Sequence, residues 1–434
     1  MVTRQSGIDR EILQLALPSI VSNITVPLLG LCDVTIMGHV GGATSIGAIA
    51  VGSMIFNVMY WLFAFLRMGS SGLTAQAYGA RRHRDVVATF WRGLLVGVGC
   101  GLVIVVLQVP LQWLTFWLMR PTADVAQLCT PYYYICIWGA PAVLGLFALT
   151  GWLVGMQNTR VPMLIAVGQN VVNIALSVVL VIVFRQGVRG VAMGTLVAQW
   201  TAFAVGLLLV ARGYGRLLRR LWPSMSQLGS GLGRFFRLNF DIFLRTVCLV
   251  SVNLYFTSAG AAQGPLVLAA NTLLMQFFMI YSYMTDGFAF AGEALSGRFL
   301  GAGDQSGLRQ VVRRLFWWGG AVALLFTVAY LLCGVPLLHL LTSDASVVVA
   351  AREYLPWAIL IPAAGMAAFV WDGIFIGTTR SRGMLVSCFW AAVTFFAVWF
   401  ALSPLWGNHA LWLALLIYLA MRGLVQTMIW NRSA

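Results

Sequence analysis

No lysine occurs anywhere in this 434-residue chain, and acids are scarce, twelve in all. Charged residues make up 9% of the sequence, against about 25% in an ordinary soluble domain. With 60% hydrophobic residues and a mean hydropathy of +0.88, this excludes a water-soluble fold, which has no way to hide so much apolar surface. The four histidines are scattered, and the seven cysteines lie within or at the ends of apolar runs without metal-type spacing. Neither set forms a catalytic or metal-binding constellation, and the cysteines are expected as reduced packing residues. There is no P-loop, so nucleotide hydrolysis is not expected and energy has to come from an ion gradient. No cleavable leader is expected either. The first apolar stretch lacks a strongly basic start and an A-x-A site and is too long for a leader, so it is a permanent helix.

What the chain has in abundance is long apolar runs. A bilayer core of about 30 Å takes about 20 apolar residues per helix, and runs of that length recur from Leu13 to Ile429. Stretches such as Gly93–Val109 and Trp317–Val335 lack the alternation of a barrel strand, so helices are expected. Punctuation by Gly, Pro and Arg gives spans at 12–38, 45–68, 88–109, 128–153, 161–183, 190–211, 239–260, 266–290, 314–335, 353–376, 384–402 and 410–430. The expected fold is an all-α polytopic membrane protein, with twelve transmembrane helices in two six-helix bundles, 1–211 and 238–434, joined by an arginine-rich cytoplasmic linker, 212–237. A shift of 222 positions lays Gly79-Ala80 on Gly301-Ala302, Arg92 on Arg314, Tyr132 on Tyr354, Gly151 on Gly373 and Gly155 on Gly377. With an even number of helices in each half, such repeats are related by a pseudo-twofold along the membrane normal.

All 27 basic residues are arginine. With the N-terminus inside, twenty lie in cytoplasmic segments and only Arg120, Arg185, Arg189 and Arg352 on the other side. That bias places both termini in the cytoplasm. The net charge of +15 is therefore topology, not a nucleic-acid surface.

Seven of the acids fall in loops or at helix ends; the other five, Asp33, Asp241, Asp286, Glu293 and Asp372, fall on the spans. An acid at the helix centre costs about 2.5–3.5 kcal/mol to insert, so each is expected to face protein or a water-filled cavity. Asp33 has no arginine between Arg10 and Arg67 to pair with. Desolvation without a counter-ion favours the neutral acid, which suits a reversible proton carrier; the plainer alternative is an acid merely hydrogen-bonded to neighbours. Pro27 deletes a helix hydrogen bond and, with Gly30, marks a hinge where the helix bends as Asp33 changes charge. Asp241 and Arg245, at i and i+4, share a helix face and are expected as a structural ion pair. Asp286 and Glu293, two turns apart on one face, and Asp372 in the tenth span are candidates for coupling or cation binding, although Glu293 is equally well placed for a helix-end salt bridge with Arg298. Arg67, unaccompanied in its own span, is expected to pair across helices with one of the remaining acids. Asn170, Asn173 and Ser177 form a polar stripe at i, i+3 and i+7. With Met37 and Tyr60 they are candidates for lining a cavity for a flat cationic compound, although Asn and Ser also join helices.

The run Asn23-Ile24-Thr25-Val26-Pro27-Leu28-Leu29-Gly30-Leu31-Cys32-Asp33, followed by Ile36-Met37-Gly38-His39, resembles the opening helix of multidrug and toxic compound extrusion (MATE) transporters of the DinF-like branch. Leu66-Arg67-Met68-Gly69, Asn239-Phe240-Asp241-Ile242-Phe243-Leu244-Arg245, Asp286-Gly287 with Glu293-Ala294, and Trp371-Asp372-Gly373 are similar to the same branch, so the likeness covers nearly the whole chain. It implies a V-shaped pair of six-helix bundles exporting small hydrophobic, mostly cationic compounds in exchange for protons or sodium ions, without enzymatic activity and with no cofactor or metal beyond the coupling ion. The family's first-helix aspartate falls on Asp33, its eighth-helix acid on Glu293 and its tenth-helix acid on Asp372. Ser177 stands where relatives typically have an aspartate, so Asp33 is expected to act without that partner.

The function expected is proton-coupled multidrug antiport by a monomer in a bacterial inner membrane, surrounded by lipid and binding no nucleic acid. Sodium coupling through the remaining acids is one alternative. A lipid-linked precursor flippase is another, but its expected basic cavity contrasts with five intramembrane acids against Arg67, Arg245 and Arg422. An intramembrane enzyme or receptor would need a catalytic cluster or a large soluble domain, and neither is visible.

Overall fold

The computed structural model describes residues 2–40 and 42–433, and among them every regular element is a helix. The first helix, α1 (Val2–Val40), takes in the first expected span. Eleven more are long and apolar enough to cross a membrane: α2 (Thr44–Gly79), α3 (His83–Val106), α4 (Ala123–Gly155), α5 (Arg160–Val183), α6 (Gly187–Arg220), α7 (Leu232–Ala262), α8 (Pro265–Gly301), α9 (Gln305–Leu341), α10 (Ala345–Gly377), α11 (Ser381–Trp406) and α12 (Asn408–Arg432). Together with α1 they match the twelve expected. The helices outrun the apolar spans because nothing in the polar flanks stops them. The 37 residues of α8 rise about 55 Å, well beyond a core of about 30 Å.

The chain divides into two compact units, Val21–Phe236 and Met1–Ile20 with Arg237–Ala434. Residues 1–20, which the sequence division takes with the first bundle, group here with the second unit. Polar and packing contacts hold them there. Arg314 clamps Asp9 with both Nε and Nη2, the first at 2.7 Å, and Trp318 Nε1 donates to the same carboxylate at 3.1 Å. Glu11 accepts from Arg298 at 2.5 Å, and Gly287 of α8 lies so close to α1 that a Cβ there would press on Ile20 and on the carbonyl of Ala16. Of the segment expected as a linker, residues 212–236 belong to the first unit and Arg237 opens the second stretch of the other. The segment's short helix Met225–Ser230 opens with a capping box from Ser224 and Gln227, and Arg92 of α3 donates to the carbonyls of Gln227 and Leu228.

The repeat seen in the sequence is built into the backbone of both units. Left-handed turns occur at Gly42 and Gly264, Arg81 and Gly303, Gln157 and Thr379, and Arg185 and Gly407, each pair 222 positions apart. Such conformations are rare outside glycine, so four matched pairs mark four matched helix ends. The close helix crossings also match. In the first unit a Cβ on Gly151 would strike the backbone of Arg67, and one on Gly155 the carbonyl of Ser71. In the second, Gly373 meets Ala289 and Gly377 meets Glu293, which are the same positions plus 222. Small residues at such crossings let helix backbones approach, as packing within a bilayer requires.

Two outcomes follow from this packing. Gly151→Ala and Gly373→Ala force backbone apart and each lower unfolding stability by about 1–3 kcal/mol. Gly99→Ala, which meets nothing within 4 Å, is neutral in the same thermal-unfolding assay. Hydrogen bonds from Arg314 hold the Asp9 carboxyl below its usual range. A depressed native pKa contributes stability above the unfolded value of about 3.9 and loses it on further acidification. Asp9→Asn therefore lowers the melting temperature at neutral pH and leaves it unchanged in acid; equal losses at both pH values would contradict the assignment.

Candidate functional site

In the first unit the acid on α1 stands out by its surroundings. Asp33 is 5% exposed, and its Oδ1 has no hydrogen-bond partner in the protein. Four residues on, Met37 belongs to a cluster with Phe56 of α2 and Tyr132, Tyr133 and Cys136 of α4, with Tyr60 packed against it. Asp33 acts electrostatically on both Tyr132 and Cys136, which places it toward that face of α4. Tyr132 Oη lies 3.3 Å from Ser53 Oγ, while Tyr60 Oη is buried without a partner. The α1 carboxyl thus sits in a mostly aromatic and thioether environment containing a few unsatisfied hydroxyl and carboxyl atoms. The backbone of α1 is helical through position 27, but the side chain of Pro27 lies outside the described residues, so the hinge expected there has no structural description.

The polar stripe of α5 joins helices. Asn170 donates to the carbonyl of Thr25 on α1 at 3.0 Å, and Asn173 to Thr195 Oγ1 on α6 at 3.0 Å. Ser177 donates to Asn173 Oδ1 at 3.2 Å and is fully buried. Its Oγ lies 2.7 Å from where a Cβ on Gly194 would stand, so α6 closes over it.

The second unit gathers its charge at Asp372 on α10. Asp372 Oδ2 accepts from Arg245 Nη2 on α7 and from Arg422 Nη2 on α12, the latter at 2.5 Å. Oδ1 accepts from Gln426 Nε2 at 2.7 Å. All four side chains are buried, with Asp372, Arg245 and Arg422 at 6%, 5% and 4% exposure. The expected Asp241–Arg245 ion pair is not formed. Asp241 Oδ2 accepts instead from Ser381 Oγ at 2.6 Å. The physical reason is depth: Asp241 is half-exposed and satisfied by a hydroxyl, whereas Arg245 is desolvated and gains most from a carboxylate buried equally deeply. Arg422 and Gln426, four apart on one helix face, complete the clamp; that spacing was the sequence signal for them.

The other acids lie apart from this cluster. Asp286 is half-buried on α8, beside Tyr283. Glu293 is 1% exposed, at the crossing where Gly377 admits its backbone. Arg298, the expected helix-end partner of Glu293, is engaged by Glu11. Arg67 is half-buried, with its carbonyl under Gly151. Among the described residues no group of three or more His, Cys, Asp or Glu is placed to hold a metal ion.

Comparison with known proteins gives a consistent picture. The MatE family model matches residues 18–179 and again 242–400, so it falls once on each half of the chain. The DNA damage-inducible protein F of Escherichia coli is 39% identical over 98% of this chain and 92% of its own length. A probable multidrug resistance protein NorM of Thermotoga maritima is 22% identical, covering 92% of this chain and 84% of that protein. Among solved structures, a Vibrio cholerae MATE transporter in the bent form superposes with a TM-score of 0.87 at 18% identity, over 99% of this chain and 98% of the other.

The clamp on Asp372 predicts an unequal response to mutation. Asp372→Ala leaves two buried guanidinium groups without their carboxylate and costs about 3–5 kcal/mol. Asp241→Ala, which loses one half-exposed hydrogen bond, costs about 1 kcal/mol. Thermal unfolding of the purified protein in detergent distinguishes them, and equal losses would show that the two carboxylates carry the same structural weight.

Proposed function

Because the chain belongs to the MATE family, we propose that it is a proton-coupled antiporter exporting hydrophobic, mostly cationic compounds across a bacterial inner membrane. The single observation that carries the proton assignment is Asp33, a buried carboxyl with one oxygen unpartnered and no arginine between Arg10 and Arg67 in the sequence. A carboxyl in that position changes charge without breaking an ion pair. Facing outward, it takes up a proton; neutralisation weakens its hold on a bound cation, which leaves. Facing inward, it releases the proton, and the restored carboxylate attracts the next cation. Met37, Phe56 and Tyr60 supply the apolar and aromatic surroundings that suit a flat organic cation.

Asp372 is poorly suited to the same task. Two guanidinium groups already neutralise it, and they oppose the approach of sodium or a cationic substrate. Exchange of one proton for one monovalent cation moves no net charge, so the pH difference drives it: each unit is worth about 1.4 kcal/mol and supports roughly tenfold accumulation.

In proteoliposomes loaded with a fluorescent cation, an imposed pH gradient is expected to drive efflux with or without sodium. Asp33→Asn abolishes that efflux while leaving the unfolding temperature within about a degree of the parent. Efflux that persists undiminished in the variant would remove Asp33 from the cycle, and efflux that requires a sodium gradient would replace the proton as coupling ion.

A further inference from the structure

The charge of the Arg245–Asp372–Arg422 cluster does not close. One carboxylate serves two guanidinium groups, leaving a net charge of +1 on side chains that are all nine-tenths or more buried. Its donors are not used up either. Nε of Arg245 and Nε of Arg422 are both buried, and neither donates to any acceptor in the protein; Gln426 Oε1 and Tyr418 Oη beside them are also unpartnered. The Arg422 guanidinium stands 5.6 Å over the ring of Tyr418, a contact that orients it without supplying charge. Cys388 on α11 and Tyr418 on α12, a thiol and a phenol, lie beside the two arginines, and Asp241, one turn before Arg245, accepts from Ser381 instead. Glu293 lies on α8 against Gly377, five positions along α10 from Asp372, and none of the cluster's hydrogen bonds runs to it.

Two adjacent guanidinium groups with spare N–H donors, in a low-dielectric setting with one positive charge in excess, are the recognition chemistry of a monovalent anion. We propose that this cluster in the second unit binds such an anion, held by Arg245 and Arg422 next to Asp372. The occupant is either an inorganic halide or the carboxylate headgroup of an organic anion, since both present one negative charge to the same N–H donors. The assignment concerns residues other than Asp33 and does not depend on the coupling ion, so it stands or falls separately from the proton-antiport reading.

The test needs no transport. Unfolding of the purified full-length protein in detergent is followed against sodium chloride and, separately, sodium benzoate, with sodium sulfate holding ionic strength constant. A saturable rise in melting temperature of about 3 °C is expected in at least one series. Arg422→Met, which leaves Arg245 and Asp372 as a neutral pair, is expected to fold and to lose that rise. A response to chloride identifies an inorganic ion, and a response to benzoate alone identifies an organic headgroup; either supports the site. A rise of the same size in Arg422→Met, or none in the wild type, overturns it. Should the variant fail to fold, calorimetric titration of the wild type with sodium bromide and with sodium benzoate decides, since the absence of saturable heat in both overturns the site equally.

Discussion

Hydrocarbon offers no partner to a polar group, and every feature of this protein that reads as design answers to that constraint. Backbone polarity is consumed within helices, and glycines at the crossings let those helices touch. Side-chain polarity is then satisfied at a few fixed points. The Trp152 indole donates to the carbonyl of Val86 at 2.9 Å, and Asn271 and Asn408 exchange reciprocal amide bonds at 2.8 Å. The most consequential of these points is Asp372. Without it two guanidinium groups would stand unneutralised in the interior of the second unit, so α7, α10 and α12 are tied to one arrangement by a single carboxylate.

The two units share a skeleton but not a chemistry. Their left-handed turns and glycine crossings coincide at one offset, whereas the acids on the spans do not. Position 33 carries an aspartate, and its equivalent, 255, a tyrosine; position 177 carries a serine, and its equivalent, 399, a tryptophan. In the second unit that tyrosine and tryptophan hydrogen-bond directly at 2.9 Å within a group of aromatic rings. Asp372 in turn corresponds to Thr150. Duplication preserved what packing requires and left the buried polar positions to diverge.

The architecture was legible in the sequence because its signals are long and redundant. Apolar runs of membrane length and a constant repeat offset each draw on many residues, so no single misplaced boundary matters. The isolation of Asp33 was also legible, as an absence of arginine over more than fifty positions. Pairing was not. The spacing of Asp241 and Arg245 is correct for a helical ion pair, yet the partner chosen lies 127 positions away, because burial depth, which local spacing does not encode, outweighs proximity along the helix. The grouping of residues 1–20 with the second unit was hidden for the same reason: it depends on Asp9 and Glu11 finding arginines on α8 and α9, some 300 positions on.

A carboxyl that changes charge during a cycle has to leave no stranded counter-charge behind when it is neutralised. Protonating Asp372 would expose two buried guanidinium groups to one another, so the group that holds the second unit together is also the group least able to cycle. Asp33 has the opposite character. Its neutral form leaves no cation unpaired within the surroundings described for it, and its ionised form meets an unsatisfied environment that a cationic guest relieves. The α5 position where the family resemblance implies a second acid is here a serine bonded to Asn173 and closed in by α6. In the proposed cycle the first unit therefore has a single titrating group, and proton and cation compete for it directly rather than through an intervening pair.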